Sequence, residues 1–219
     1  MSKSDIQLKT DIEEELLWDP KINSAQVGVS VDNGAVSLLG AVDTYAEKWA
    51  AEDAVKRVSG VVTIAQDLTV KIQSAHKHID SEIAVAIQSA LRWHVYVPST
   101  VTAEVQDGNV TLGGQVRWNY QRNAAEAAIR YITGVVAVHN LISIKAHTTT
   151  AQVKEKVLAA LQRQATTDAK SILIESVDGK VILSGHASSW QSIEDARNAA
   201  WAAPGVTEVV DEVKMLTTL

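Results

Sequence analysis

A chain of 219 residues, 46% hydrophobic and 21% charged, lies in the range of ordinary globular proteins with ample length to bury a core. It has no cysteine, which excludes disulfides, thiolate metal sites and thiol nucleophiles. A formal charge of −6 opposes bulk attraction to nucleic acid or anionic lipid. No stretch approaches the ~20 apolar residues that span a bilayer, so any membrane contact is expected to be peripheral.

The first element predicted is a helix with Ser4 or Asp5 as N-cap, Leu8, Ile12 and Leu16 at helical spacing, and Trp18-Asp19-Pro20 at its end. Val27, Val29 and Val31 then alternate with polar or small residues, turn through Asp32-Asn33-Gly34 and resume at Val36 and Leu38, which predicts a β-hairpin. After Gly40 the period returns toward 3.6, with Tyr45, Trp49, Ala51, Val55 and Val58 as a stripe ending at Ser59-Gly60. Val62 to Val70 reads as a third strand.

The same order follows twice more. A helix with Ile79, Ile83, Ile87 and Leu91, with Asp80 at its N-terminus, leads into strands Val101–Val105 and Val110–Val116, a helix from Asn119 to about Ile132, and a strand Val135–Ile144. The last third offers Val153, Val157 and Leu161 on a helix, strands near Ile172–Val177 and Val181–Leu183, and an Ala-rich helix ended by Pro204-Gly205. Three glycines keep one register through all of this: Gly34, Gly108 and Gly179 in the turns, Gly40, Gly114 and Gly185 after the second strands, and Gly60, Gly134 and Gly205 after the second helices. Positive φ, close backbone approach and a helix C-terminus are the respective reasons for glycine. The expected domains are 1–73, 74–147 and 148–219, joined by short linkers at 73–78 and 146–150.

An apolar-x-apolar-x-[DN]-G-x-V-x-L-x-G hairpin and a Gly-Val after the second helix, in a helix-strand-strand-helix-strand order, make each unit resemble a BON domain. The likeness rests on Gly34, Val36, Leu38, Gly40, Gly60 and Val61, on Gly108, Val110, Leu112, Gly114, Gly134 and Val135, and on Gly179, Val181, Leu183, Gly185, Gly205 and Val206. Trp118-Asn119-Tyr120-Gln121-Arg122 adds a resemblance to triple-BON proteins of the OsmY-like type. The resemblance implies an α+β chain of three tandem domains, each a three-stranded sheet covered by two helices. It also implies phospholipid or envelope association and a part in osmotic or general stress protection, without catalysis or cofactor. The family motif is made of structural glycines and core aliphatics and transfers no binding residues.

Charge is unevenly spread: seven basic against twelve acidic residues in 1–73, six against five in 74–147, and seven against nine in 148–219. Only the middle repeat approaches an anionic surface without net repulsion. Its candidate contact residues are Trp118 and Tyr120 with Arg117 and Arg122, an amphipathic aromatic cluster beside cations at a helix start. Trp18, Trp93 and Trp190 are read as stapling helix ends onto the sheet. His76, His78 and His94 lack matching carboxylates for a metal site, and His186 lacks a hydrolase motif. With no basic stripe interleaved with aromatics, nucleic acid is not an expected partner. The chain begins Met-Ser with no signal-peptide core, which predicts a cytoplasmic protein, peripheral at the inner membrane. The rival reading is a self-assembling or protein-binding scaffold that uses apolar helix faces, the Ala-rich helix above all, and sheet edges.

Overall fold

The structure, a computed structural model, describes residues 3–72, 78–145, 153–163 and 171–215. The expected linkers lie outside the described residues except for His78. By backbone contact the described residues form two compact units, one from those within 3–114 and 123–141, the other from those within 115–122 and 142–215.

In the first unit, helix α1 (Asp5–Trp18) starts at the N-cap Ser4, whose hydroxyl accepts from the Gln7 amide, and buries Leu8, Ile12 and Leu16. Strands β1 (Val27–Asp32) and β2 (Ala35–Val42) pair antiparallel with Val31 opposite Val36. Helix α2 (Tyr45–Arg57) carries the chain back so that β3 (Thr63–Val70) pairs parallel to β2. The sheet order is therefore β1-β2-β3, and alternate β2 residues Val36 and Leu38 are fully buried. On α2 the buried face is Ala50, Ala51, Ala54 and Val55, and the predicted core residue Trp49 stands instead at the rim, 36% exposed.

The same plan follows with α3 (Asp80–Trp93), β4 (Thr102–Gln106), β5 (Asn109–Gly113), β6 (Gln115–Val116), α4 (Asn119–Ile129), β7 (Ala137–Asn140) and β8 (Ser143–Ile144). Here the predicted strands Val110–Val116 and Val135–Ile144 are each broken in two. The order β4-β5-β7 holds one sheet, and β6 pairs with β8 separately. The break at Gly114 follows from two consecutive glycines, Gly113-Gly114, which supply no side chain to the ladder. Helix α4 also ends three residues short of the predicted Ile132, because Thr133-Gly134 closes the turn.

In the second unit, α5 (Val153–Arg163), β9 (Ile172–Val177), β10 (Lys180–Ala187), α6 (Trp190–Ala202) and β11 (Glu208–Met215) complete the third repeat, with sheet order β11-β10-β9. Val153, Val157, Ile174, Val181 and Leu183, with Ala196, Ala199 and Ala200 of α6, belong to its core. Ala196, Ala199, Ala200 and Ala203 are buried there, so the Ala-rich face of α6 is used inside its own repeat.

Candidate functional site

The start of α4 differs from its counterparts. Thr44 caps α2 by accepting from the Glu47 amide at 3.1 Å, and Ser189 caps α6 by accepting from Ser192 at 3.1 Å. Register places Trp118 at that position in the middle repeat, and an indole has no acceptor to offer. Gln121 partly compensates, its Oε1 accepting from the Arg117 and Trp118 amides at 3.0 and 3.2 Å. This is half of a capping box. Trp118 is left 36% exposed with Arg117 exposed beside it and Tyr120 54% exposed two residues on, while the neighbouring Asn119 is buried with its Oδ1 unpaired.

Arg122, the fourth candidate, does not join them. Its guanidinium lies 4.9 Å from the centroid of the Trp201 ring, a residue packed against the core of the third repeat. Eight residues further along the same helix direction, Arg130 lies 3.7 Å from the Trp49 ring, with its Nε buried and unpaired. Stacking on tryptophan stabilises a partly desolvated guanidinium by on the order of 1–2 kcal/mol. Both guanidinium groups thus lie over tryptophan rings. The phenol of Tyr45 is pushed above its ordinary range, chiefly by burial and next by Glu126, against the pull of Arg130. A raised phenol pKa contributes stability below pH ~10 that is lost as pH rises through the folded-state value. Absorbance titration is expected to show one late-ionising phenol that disappears in Tyr45→Phe. Its persistence in that variant would place the buried phenol elsewhere.

Two tryptophans read as staples are not staples. Trp18 is 84% and Trp93 78% exposed, and Val95 and Tyr96 continue the exposed apolar surface after α3.

The nine motif glycines share one sign of φ. All have positive φ, and in each hairpin the residue before the glycine, Asn33, Asp107 or Asp178, is left-handed as well, which defines the type I′ turn. The turn carbonyl of Gly34, Gly108 or Gly179 accepts from Val62, Val136 or Thr207, just past the helix-end glycine, at 2.8, 2.9 and 2.8 Å. Sequence reasoning missed the clamp on two of these turns. Asp5 accepts from the Asn33 and Gly34 amides at 2.8 and 3.1 Å, and Asp80 from Asp107 and Gly108 at 2.8 and 3.0 Å. The signal available was an Asp in the first turn of each of the first two repeats.

The BON-domain model matches residues 4–72, 79–146 and 149–217. The chain belongs to the BON-domain family. Among curated relatives, its BON repeats are similar to Osmotically-inducible protein Y of Escherichia coli (strain K12), 28% identical over 146 residues, 64% of this chain and 73% of that protein. Among solved structures, CdsD of the Chlamydia trachomatis type III secretion system matches at a TM-score of 0.27 and 15% identity, over 95% of this chain and 92% of that one. Its C-terminal domain matches at 0.26 and 16%, over 98% and 100%. Superpositions at those scores carry no equivalence of structure or role.

BON membership points to a non-enzymatic protein. Among the described residues no three His, Asp or Glu side chains group as metal ligands, and no helix is long and apolar enough to cross a membrane. His78 pairs with Glu82 at 3.1 Å, and His76 lies outside the described residues.

Proposed function

We propose that the chain is a non-enzymatic binding protein of three tandem BON domains, 1–73, 74–147 and 148–219, that attaches peripherally to anionic phospholipid through the middle domain. Its role is in osmotic or general stress protection, in keeping with the name of the similar Osmotically-inducible protein Y. The observation that carries the lipid reading is Trp118 at a helix-cap position. Thr or Ser there would stabilise the helix by about 1 kcal/mol, so the indole stands at a cost to local stability. Exposed beside Arg117 and Tyr120, it offers an amphipathic ring and a cation to a headgroup region.

Trp118→Thr tests this because stability and binding should move in opposite directions. A threonine at the cap, with Gln121, would complete a capping box, so the variant is expected to unfold at higher urea concentration while losing most of its sedimentation with phosphatidylglycerol-containing vesicles. Arg117→Glu is expected to lose sedimentation with no change in stability. Binding should weaken in high salt and be absent with pure phosphatidylcholine. If wild-type protein ignores anionic vesicles at low salt yet scatters light as a large assembly, the scaffold reading takes its place. Because Ala196, Ala199 and Ala200 of α6 are buried in their own core, that assembly would use sheet edges and other apolar helix surface, such as the exposed Val85 and Trp93 of α3.

A further inference from the structure

One groove lies in the first unit, on the middle repeat. It runs between α3 and the edge strand β4, holds about 650 Å³, and is lined by Val85, Gln88, Leu91 and Arg92 on one wall and Val101 and Ala103 on the other. Its origin is legible residue by residue. In the strand, Val29 opposite Leu38 and Ile174 opposite Leu183 fill the gap under the first helix, 8% and 5% exposed. The residue opposite Leu112 is Ala103, too short to fill it, and it is exposed.

The helix wall changes in step. Where the first repeat has Lys9, Thr10 and Glu13, with Lys9 and Glu13 paired at 3.7 Å, the middle repeat has Ala84, Val85 and Gln88. The third repeat has Lys154, Glu155 and Leu158 there. Two independent walls have thus lost bulk or charge at one place. Val85 is left 68% exposed beside the groove.

Charge selects the occupant. The lining holds one ionised side chain, Arg92, and no acid. Arg92 is exposed at the end of α3, its guanidinium 5.6 Å from the centroid of the Trp93 ring. We propose that this groove binds a single-chain anionic amphiphile, a free long-chain carboxylate, with its tail along Val85, Leu91 and Val101 and its carboxylate at Arg92. The volume lies in the range of small-molecule sites, about 300–1,000 Å³. One trough with one cation matches one chain with one charge. The site shares no residue with the Trp118 surface and stands whether or not that surface meets lipid.

The test is titration of the full chain with monomeric decanoate and tetradecanoate, followed by calorimetry. Saturable binding of one carboxylate per chain is expected, each added methylene strengthening it about two- to fourfold. Ala103→Ile restores the residue of the third repeat, and is expected to weaken binding at least tenfold while thermal stability holds or rises. Arg92→Gln is expected to weaken tetradecanoate about tenfold and leave the corresponding alcohol unchanged. Trp118→Thr should bind as wild type. No saturable binding by the wild type, or equal binding by a folded Ala103→Ile variant, overturns the proposal. So does a loss of carboxylate binding in Trp118→Thr, which would make the groove part of a general lipid surface.

Discussion

Gly114→Ala is expected to lower the free energy of unfolding by about 3 kcal/mol. Gly114 has φ +107°, where an L side chain is strained by on the order of 1–3 kcal/mol. A Cβ there would also collide with the Thr100 carbonyl oxygen, which belongs to backbone and cannot swing aside. Gly40 and Gly185 meet the carbonyls of Gln26 and Ser171 in the same way. Gly28→Ala is the matched control, because its Cβ would find ordinary contacts, the nearest at 3.6 Å. That variant is expected to be neutral or slightly stabilised, by about 0.5 kcal/mol, through the unfolded chain. Urea denaturation followed by circular dichroism measures both, and equal stability of the two variants would refute the close approach at Gly114.

Asp80→Ala is expected to cost about 2 kcal/mol. Its carboxylate holds the amides of Asp107 and Gly108, and charge-assisted bonds of this kind contribute roughly 1.5–3 kcal/mol each before discounting for solvent at a part-exposed turn. The lost negative charge at the start of α3 adds about 0.5 kcal/mol. Asp80→Asn keeps one acceptor oxygen and should lose about half as much. Hydrogen exchange at the Asp107 and Gly108 amides gives a local reading, and unchanged protection there in Asp80→Ala would show that the carboxylate is idle. The third repeat has Thr150 and Ala151 where this acid would stand in register.

Local chemistry was legible in the sequence and long-range pairing was not. Asp-Gly and Asn-Gly between alternating valines specify the turns, because few backbone conformations suit those residues. Ser4 before a helical stripe specifies the start of α1. Asp5 reads as an alternative N-cap and Asp80 as a helix-start charge. That their oxygens reach turn amides 28 and 27 residues away depends on the approach of two elements, which no spacing encodes. The same applies to Arg122, which has Trp118 four residues before it and stacks on Trp201. Trp118 itself stands out by its neighbours, but its occupancy of a cap position emerges only when the three helices are aligned on their observed first residues. The breaks at Gly114 and at Leu141–Ile142 escape the alternation pattern because period two continues across both.

Each three-stranded sheet joins its central strand to one neighbour through a two-residue turn and to the other through a whole helix, and this asymmetry sets an order in time. The hairpin β1-β2 can close within about 1–10 μs, whereas β3 must wait for α2 to bridge the crossover. For that interval the central strand shows a bare edge of amides and carbonyls, Val36 and Leu38 on β2, Val110 and Leu112 on β5, Val181 and Leu183 on β10. A nascent chain passes through this state three times. The first and third sheets then seal along an unbroken ladder, from Ala35 to Val42 and from Lys180 to Ala187. The middle one seals in two short pieces, β5 on β7 and β6 on β8. Refolding at high concentration is therefore expected to go astray first at the middle repeat, where a strand from another copy competes with the shortest native ladder.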